Sequence, residues 1–280
     1  MSEGGAIKLR KFNLNLIPKN SIVMCIGKRG TGKTTLSADI LYALADQFDA
    51  GIAFSATEES NKYWEKHIPS TVIHGDFDEN IFHNFIQEQR RLNSKLPKPL
   101  STFCLLEDCM YSRVLKKNKD VRALFFNGRH YGIFTLLTMQ YAYDLSPELR
   151  SQVDFVFILR NNMVADRERL WKGFCGFIPN FPLFNKIMNA CTVNYDCLVV
   201  NNMSRSNDIQ DCLFYYTGRV HDDFKVGKLP MWQYHYKMLK IKEEEEEDIQ
   251  DNYYDEMSGK FHQYSKSSNV RKLKKSSTNI

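Results

Sequence analysis

Nine residues, Gly27 to Thr35, read G-K-R-G-T-G-K-T-T and fit the pattern G-x-x-x-x-G-K-[ST], with Gly27, Gly32, Lys33 and Thr34 at its fixed places. No other stretch restricts the fold as tightly. Ser21 to Ile26 (S-I-V-M-C-I) is a short apolar run of buried-strand type, and Leu36 to Phe48 carries apolar residues at helical spacing. A strand that enters a glycine turn and leaves it as a helix brings backbone N–H groups and a positive helix end to one point. That arrangement suits a triphosphate. Gly27, Lys28, Arg29, Gly30, Thr31, Gly32, Lys33, Thr34 and Thr35 are therefore the expected nucleotide cradle. Lys33 is expected on the β- and γ-phosphates, and the Thr34 hydroxyl on Mg²⁺. A glycine turn that matches by accident is the alternative, and the correct flanks on both sides count against it.

Further strand-like runs alternate with helical patterns. Gly51 to Ser55, Thr71 to His74, Thr102 to Leu106, Ile133 to Thr138, Asp154 to Leu159, Cys197 to Val200 and Cys212 to Thr217 read as strands, while Asn80 to Leu96 and Val121 to Phe126 read as helices. Short, nearly continuous apolar strands alternating with helices predict an α/β fold with a mainly parallel sheet covered on both faces. At 280 residues and 43% hydrophobic content, the chain is read as one domain over 1–240 with a tail over 241–280. Residues 242–256 hold nine acids against one lysine, and 257–280 hold six bases and no acid. Such a segment buries too little apolar surface to order itself and is expected to be flexible. The seven cysteines form no C-x-x-C pair, which points to reduced thiols, and the M-S-E-G-G start lacks the apolar core of a signal peptide. The longest uncharged apolar run, around Ile133 to Met139, is far too short to cross a bilayer. The sequence therefore predicts neither secretion nor membrane insertion.

Two further features carry chemistry. Phe103 to Asp108 (F-C-L-L-E-D) is an apolar strand ending in two acids. A carboxylate at such a tip orients Mg²⁺, and a neighbouring one polarises the attacking water. Glu107 is assigned to the metal, with Thr34, and Asp108 to the water; an ordinary solvated strand end is the bland alternative. The run Ile133 to Met139 ends at Gln140, whose amide is placed to sense the γ-phosphate or simply to cap the strand. Asp76, Asp78 and Asn80 imitate a calcium loop, but Ile81 stands where its glycine must be and Gln87 where its last glutamate must be.

Taken in order, G-K-R-G-T-G-K-T-T, S-A-T-E-E, L-L-E-D-C, N-G-R-H, L-L-T-M-Q, L-R-S-Q-V-D-F-V-F and F-Y-Y resemble the genome-packaging ATPases of large nucleocytoplasmic DNA viruses, of the poxvirus, iridovirus and mimivirus type. These form the viral branch of the FtsK–HerA motor superfamily. The resemblance covers roughly residues 7–235. It implies a RecA-like P-loop ATPase core that works as a ring homo-oligomer. It further implies that ATP and Mg²⁺ are used to drive double-stranded DNA into a preformed capsid, with capsid or portal-vertex proteins as partners. The implied location is the assembly site in the host cytoplasm, and the virion. Many relatives place Asp first in the acidic pair, whereas here Glu107 leads. An arginine that reaches a neighbour's γ-phosphate is implied at Arg150, with Arg129 and Arg160 as competitors. Arg113, Lys116, Lys117 and Lys119 are candidates for contact with DNA phosphates in the ring channel, or form a solvated basic loop. Two rival readings keep the P-loop. A nucleotide or nucleoside kinase needs an Arg-rich lid, and no clear one is present. A non-hydrolysing assembly factor leaves the acidic pair and Gln140 without a purpose.

Overall fold

The computed structural model describes residues 7–56, 62–109, 117–141, 145–206 and 208–258. Nine strands form a single sheet in the order β1-β9-β8-β7-β2-β6-β5-β3-β4. They are β1 (Arg10–Lys11), β2 (Ile22–Ile26), β3 (Ala50–Ser55), β4 (Ile73–His74), β5 (Thr102–Glu107), β6 (Ile133–Met139), β7 (Phe155–Ile158), β8 (Asp196–Asn201) and β9 (Leu213–Thr217). Every pair is parallel except those that β8 makes with β7 and β9. The α/β fold with a mainly parallel sheet is thus as the alternation of patterns required.

Side chains of the central strands divide between two cores with period two, as pleated backbone demands. Ile22, Met24 and Ile26 of β2 join one core, and Val23 and Cys25 join the other. Cys104 and Leu106 of β5 oppose Phe103 and Leu105 in the same way. Helix α1 (Lys33–Leu44) covers one face with Leu36, Ile40, Leu41 and Leu44. On the other face lie α2 (Glu79–Lys95), α3 (Lys119–Asn127), the single turn α4 (Pro147–Arg150), α5 (Val164–Phe174) and α6 (Phe181–Cys191). Their starts are chemically marked. Asp78 accepts from the N–H groups of Asn80 and Ile81, and Asn118 accepts from those of Asp120 and Val121. A short turn, α7 (Ile209–Cys212), precedes β9.

Cα packing separates a unit Met1–His235 from a unit Tyr236–Ile280. The expectation that regular structure ends near Ile241 is corrected: helix α8 runs Leu229–Ser258, through the acidic stretch. Glutamate favours helix, and Lys240–Glu244 and Lys242–Glu246 pair one turn apart at 3.9 and 3.7 Å. Helix at this place rests on local contacts, which a search for buried apolar surface overlooks. Smaller shifts occur elsewhere. Residues 71–72 lie in a 3₁₀ turn, Ser70–Val72, leaving only Ile73–His74 as strand. Among the described residues no helix is long and apolar enough to cross a membrane.

Candidate nucleotide site

Strands β2, β5 and β6 end at the same edge of the sheet, where an open parallel sheet offers a crevice. A cleft of about 990 Å³ lies there, lined by Arg29, Gly30, Gly32, Lys33, Thr34 and Thr35, by Glu107 and Asp108, and by Gln140. The loop, the acidic pair and the sensor candidate, which are distant in sequence, thus meet in one place.

Two glycines of the loop are sterically required. A Cβ on Gly27 would stand 2.5 Å from Thr31 Oγ1 and 2.9 Å from Leu159 Cβ. Gly32, the residue before α1, has φ of +95°, which a side chain disfavours. The loop is stitched below by Gly27 N–H to the Met139 carbonyl (3.1 Å) and by Leu159 N–H to the Ile26 carbonyl (2.8 Å). Within it, the Lys28 carbonyl accepts from Thr31 Oγ1 at 2.7 Å, while the Lys28 ammonium turns to Asp166 at 3.5 Å. Of the nine cradle candidates, Arg29, Gly30, Gly32, Lys33, Thr34 and Thr35 line the cleft.

Glu107 is buried, and both its oxygens are committed. Thr34 Oγ1 donates to Oε1 at 2.7 Å; Ser55 Oγ and Trp64 Nε1 donate to Oε2 at 2.7 and 2.5 Å. Ser55 comes from the end of β3, which pairs with β5 so that Ser55 lies opposite Glu107. Two donors behind its outer oxygen thus hold the long glutamate side chain against Thr34. The hydroxyl and carboxylate are hard oxygens suited to Mg²⁺. Among the described residues no group of three or more His, Cys, Asp or Glu side chains could enclose a metal.

Asp108 differs from its neighbour in every respect. Its φ of +48° places it in the left-handed region, a strain of about 1–3 kcal/mol that the surroundings must hold. They do so through its N–H, which donates to Thr138 Oγ1 of β6 at 3.0 Å. The carboxylate is partly exposed and faces the buried Lys33 ammonium at 3.4 Å, which also donates to the Lys28 carbonyl at 3.5 Å. One acid is thus fully hydrogen-bonded beside the Thr34 hydroxyl, and the other is accessible and aimed into the cleft.

The arginine and DNA candidates lie elsewhere. Arg150 ends α4, just before β7, at the sheet edge opposite the cleft, with its guanidinium 5.9 Å from the Phe174 ring centroid. Arg129 pairs with Asp154, and Arg160 Nε donates to Asn162 Oδ1 at 3.1 Å. None of the three lines the cleft. Arg113 and Lys116 fall outside the described residues, as does most of the S-A-T-E-E run after Ala56; Lys117 and Lys119 are exposed at the start of α3.

Several contributors escaped the reading of the sequence. Ser55, Trp64 and Thr138 surround the acidic pair, and Asn194, Tyr195, Thr217, Gly218 and Val220 line the far side of the cleft. Ser55 had a usable signal, a polar residue at the tip of a strand next to the acidic one. Trp64 had none, because nothing local distinguishes it from a core aromatic.

No protein-family model matches the chain. It is 35% identical over 249 residues to uncharacterized protein 088R of Invertebrate iridescent virus 3, covering 84% of this chain and 95% of that protein. It is 27% identical over 221 residues to uncharacterized protein L437 of Acanthamoeba polyphaga mimivirus, covering 76% and 78% respectively. The fold is similar to that of the genome packaging NTPase B204 from Sulfolobus turreted icosahedral virus 2 in complex with AMP, with a TM-score of 0.56 at 15% identity, over 73% of this chain and 100% of that one.

Proposed function

We propose that the chain, which belongs to one family with protein 088R of Invertebrate iridescent virus 3, is an ATP hydrolase of the genome-packaging type of large nucleocytoplasmic DNA viruses, that it moves double-stranded DNA into a viral capsid, and that it acts as a ring of identical subunits. Residues 1–240 form the motor in this reading, and the segment after them is an appendage to it. The observation that carries the proposal is the meeting of Lys33, Thr34, Glu107, Asp108 and Gln140 in one cleft.

Each group has a task there. The loop amides and Lys33 hold the phosphates, and Thr34 and Glu107 would hold Mg²⁺. The ion, when bound, neutralises charge developing between the β- and γ-phosphates. Lys33 exchanges its contact with Asp108 for the phosphates, which releases that carboxylate to accept a proton from the attacking water. Gln140 orients the same water through its amide. Arg150, remote from its own cleft, is assigned to a neighbour's γ-phosphate, where an arginine in trans is worth roughly 10³ to 10⁵ in rate. Arg113, Lys116, Lys117 and Lys119 are assigned to DNA phosphates, contacts that serve any base sequence.

Lys33→Ala tests the reading. Hydrolysis should vanish, and wild-type turnover should rise with added double-stranded DNA while the native mass reports a multiple of the subunit. Turnover that survives the substitution overturns the assignment.

A further inference from the structure

Beyond the phosphates, the cleft has a second wall that the chemistry of hydrolysis does not use. Because β8 runs against its neighbours, its start lies at the same edge as the ends of β2, β7 and β9. The turn that enters β8 is thereby delivered to the side of the loop away from Glu107. Two consecutive non-glycine residues of that turn, Asn194 and Tyr195, have φ of +50° and +67°. Adjacent left-handed residues are costly, and such strain gathers at ligand clamps. Here the backbone presents the Tyr195 ring beside the loop: a Cβ on Gly32 would stand 3.3 Å from Tyr195 Cδ1. The ring is nevertheless 70% exposed, and Val220, on the same cleft, is 75% exposed.

The opposite part of this wall is fixed rather than loose. A Cβ on Gly218 would lie 3.1 Å from Leu36 Cα, so the exit of β9 rests directly on the first turn of α1. The buried Asp39 of α1 holds that exit with three contacts. Tyr216 Oη and Arg219 N–H donate to its Oδ2 at 2.7 and 2.9 Å, and His221 Nε2 meets its Oδ1 at 2.8 Å. Tyr42 stacks on His221 with centroids 3.7 Å apart. The start of β8 is tied to the same exit, since Thr217 Oγ1 donates to Asp196 Oδ1.

We propose that Tyr195, with Val220 and the backbone at Gly218, is the nucleobase subsite, and that it holds a purine chiefly by stacking and apolar contact. The inference rests on the reading of this cleft as a triphosphate site. It adds that affinity for the base resides in the β8–β9 side of the sheet, apart from the hydrolytic groups. A two-ring base covers more of an aromatic face than a one-ring base, so ATP and GTP should bind several-fold more tightly than CTP and UTP.

Calorimetric titration of the full-length protein with ATP and with tripolyphosphate, which lacks base and ribose, separates the two walls. Wild type should bind ATP more tightly than tripolyphosphate. Tyr195→Ala should weaken ATP roughly 5- to 100-fold, the range expected for loss of one base–aromatic stack, and leave tripolyphosphate unchanged. Tyr195→Phe should bind ATP like wild type, and Lys33→Ala should lose both ligands. Unchanged ATP affinity in Tyr195→Ala, or an equal weakening of both ligands, overturns the subsite. Unchanged affinity joined to a smaller native mass assigns Tyr195 to a subunit contact instead. Wild type that binds tripolyphosphate and ATP alike overturns the base subsite alone; wild type that binds neither overturns the proposed function with it.

Discussion

Replacing Trp64 by Phe removes one N–H and leaves the aromatic body in place, which makes it a close test of how Glu107 is held. Trp64 is fully buried, and its Nε1 donates to Glu107 Oε2 at 2.5 Å, a charge-assisted contact. Hydrogen bonds to charged groups are worth about 1.5–3 kcal/mol. The outer oxygen keeps Ser55 at 2.7 Å, so the carboxylate stays bonded but gains freedom to swing from Thr34. Groups that orient a metal ligand cost about 10–100-fold in metal affinity when lost, or about 1.4–2.7 kcal/mol, which overlaps the hydrogen-bond figure. The expected result is a 10–100-fold rise in the Mg²⁺ concentration that half-saturates hydrolysis. Mn²⁺ binding in the presence of ATP, followed by electron paramagnetic resonance, should weaken in step. Ser55→Ala changes volume very little and should move both readouts the same way, whereas the double variant should exceed the sum of the two because each single change leaves the other donor in place. A lower melting temperature with an unaltered metal requirement in both single variants would refute the reasoning and return Trp64 to the core.

Other outcomes follow from the same contacts. Asp108→Asn keeps the shape but cannot accept the proton, so ATP affinity should stay within a few-fold of wild type while turnover falls by about 10²–10⁴. Burial lowers the pKa of His74, with partial compensation from Asp78, and burial followed by the Lys225 charge lowers that of His235. The unfolded chain binds more protons than the folded one between those lowered values and the ordinary histidine pKa of about 6.5. Stability should therefore be full above about pH 6.5 and decline as pH falls below it. Chemical denaturation across pH 5–8 reads this, and His235→Gln should flatten the slope. All seven cysteines are free and buried, and burial pushes Cys25 and Cys109 up to about 12. A thiol reagent at pH 8 should label the native protein slowly and reach seven equivalents only after denaturation.

The convergence of the glycine loop, the acidic pair and Gln140 on one cleft was legible in the sequence because these residues are bound to short-range patterns. A glycine loop needs its strand and helix on either side, and an acidic pair at the end of an apolar run declares a strand tip. Gln140 could be placed for the same reason. Trp64, Asp39 and Tyr195 could not, since each acts on residues between 43 and 182 positions away or on a loop brought near by strand order. Strand order itself was hidden: the reversal of β8 leaves no mark in a run as apolar as Cys197 to Val200. The helix through the acidic stretch was missed for a different cause, because apolar periodicity reports burial and says nothing of intrahelical charge pairs.

The left-handed turn before β8 has a consequence for how such an enzyme can change. On the proposed reading, the residues that split the triphosphate and the residues that face the base are contributed by separate parts of the chain, which meet at the cleft where Tyr195 approaches Gly32 and where the β9 exit rests on α1. On that reading, substitutions at the exposed Tyr195 and Val220 retune which nucleotide fuels the protein without disturbing the groups that consume it. Fuel choice and bond cleavage are thereby free to drift independently.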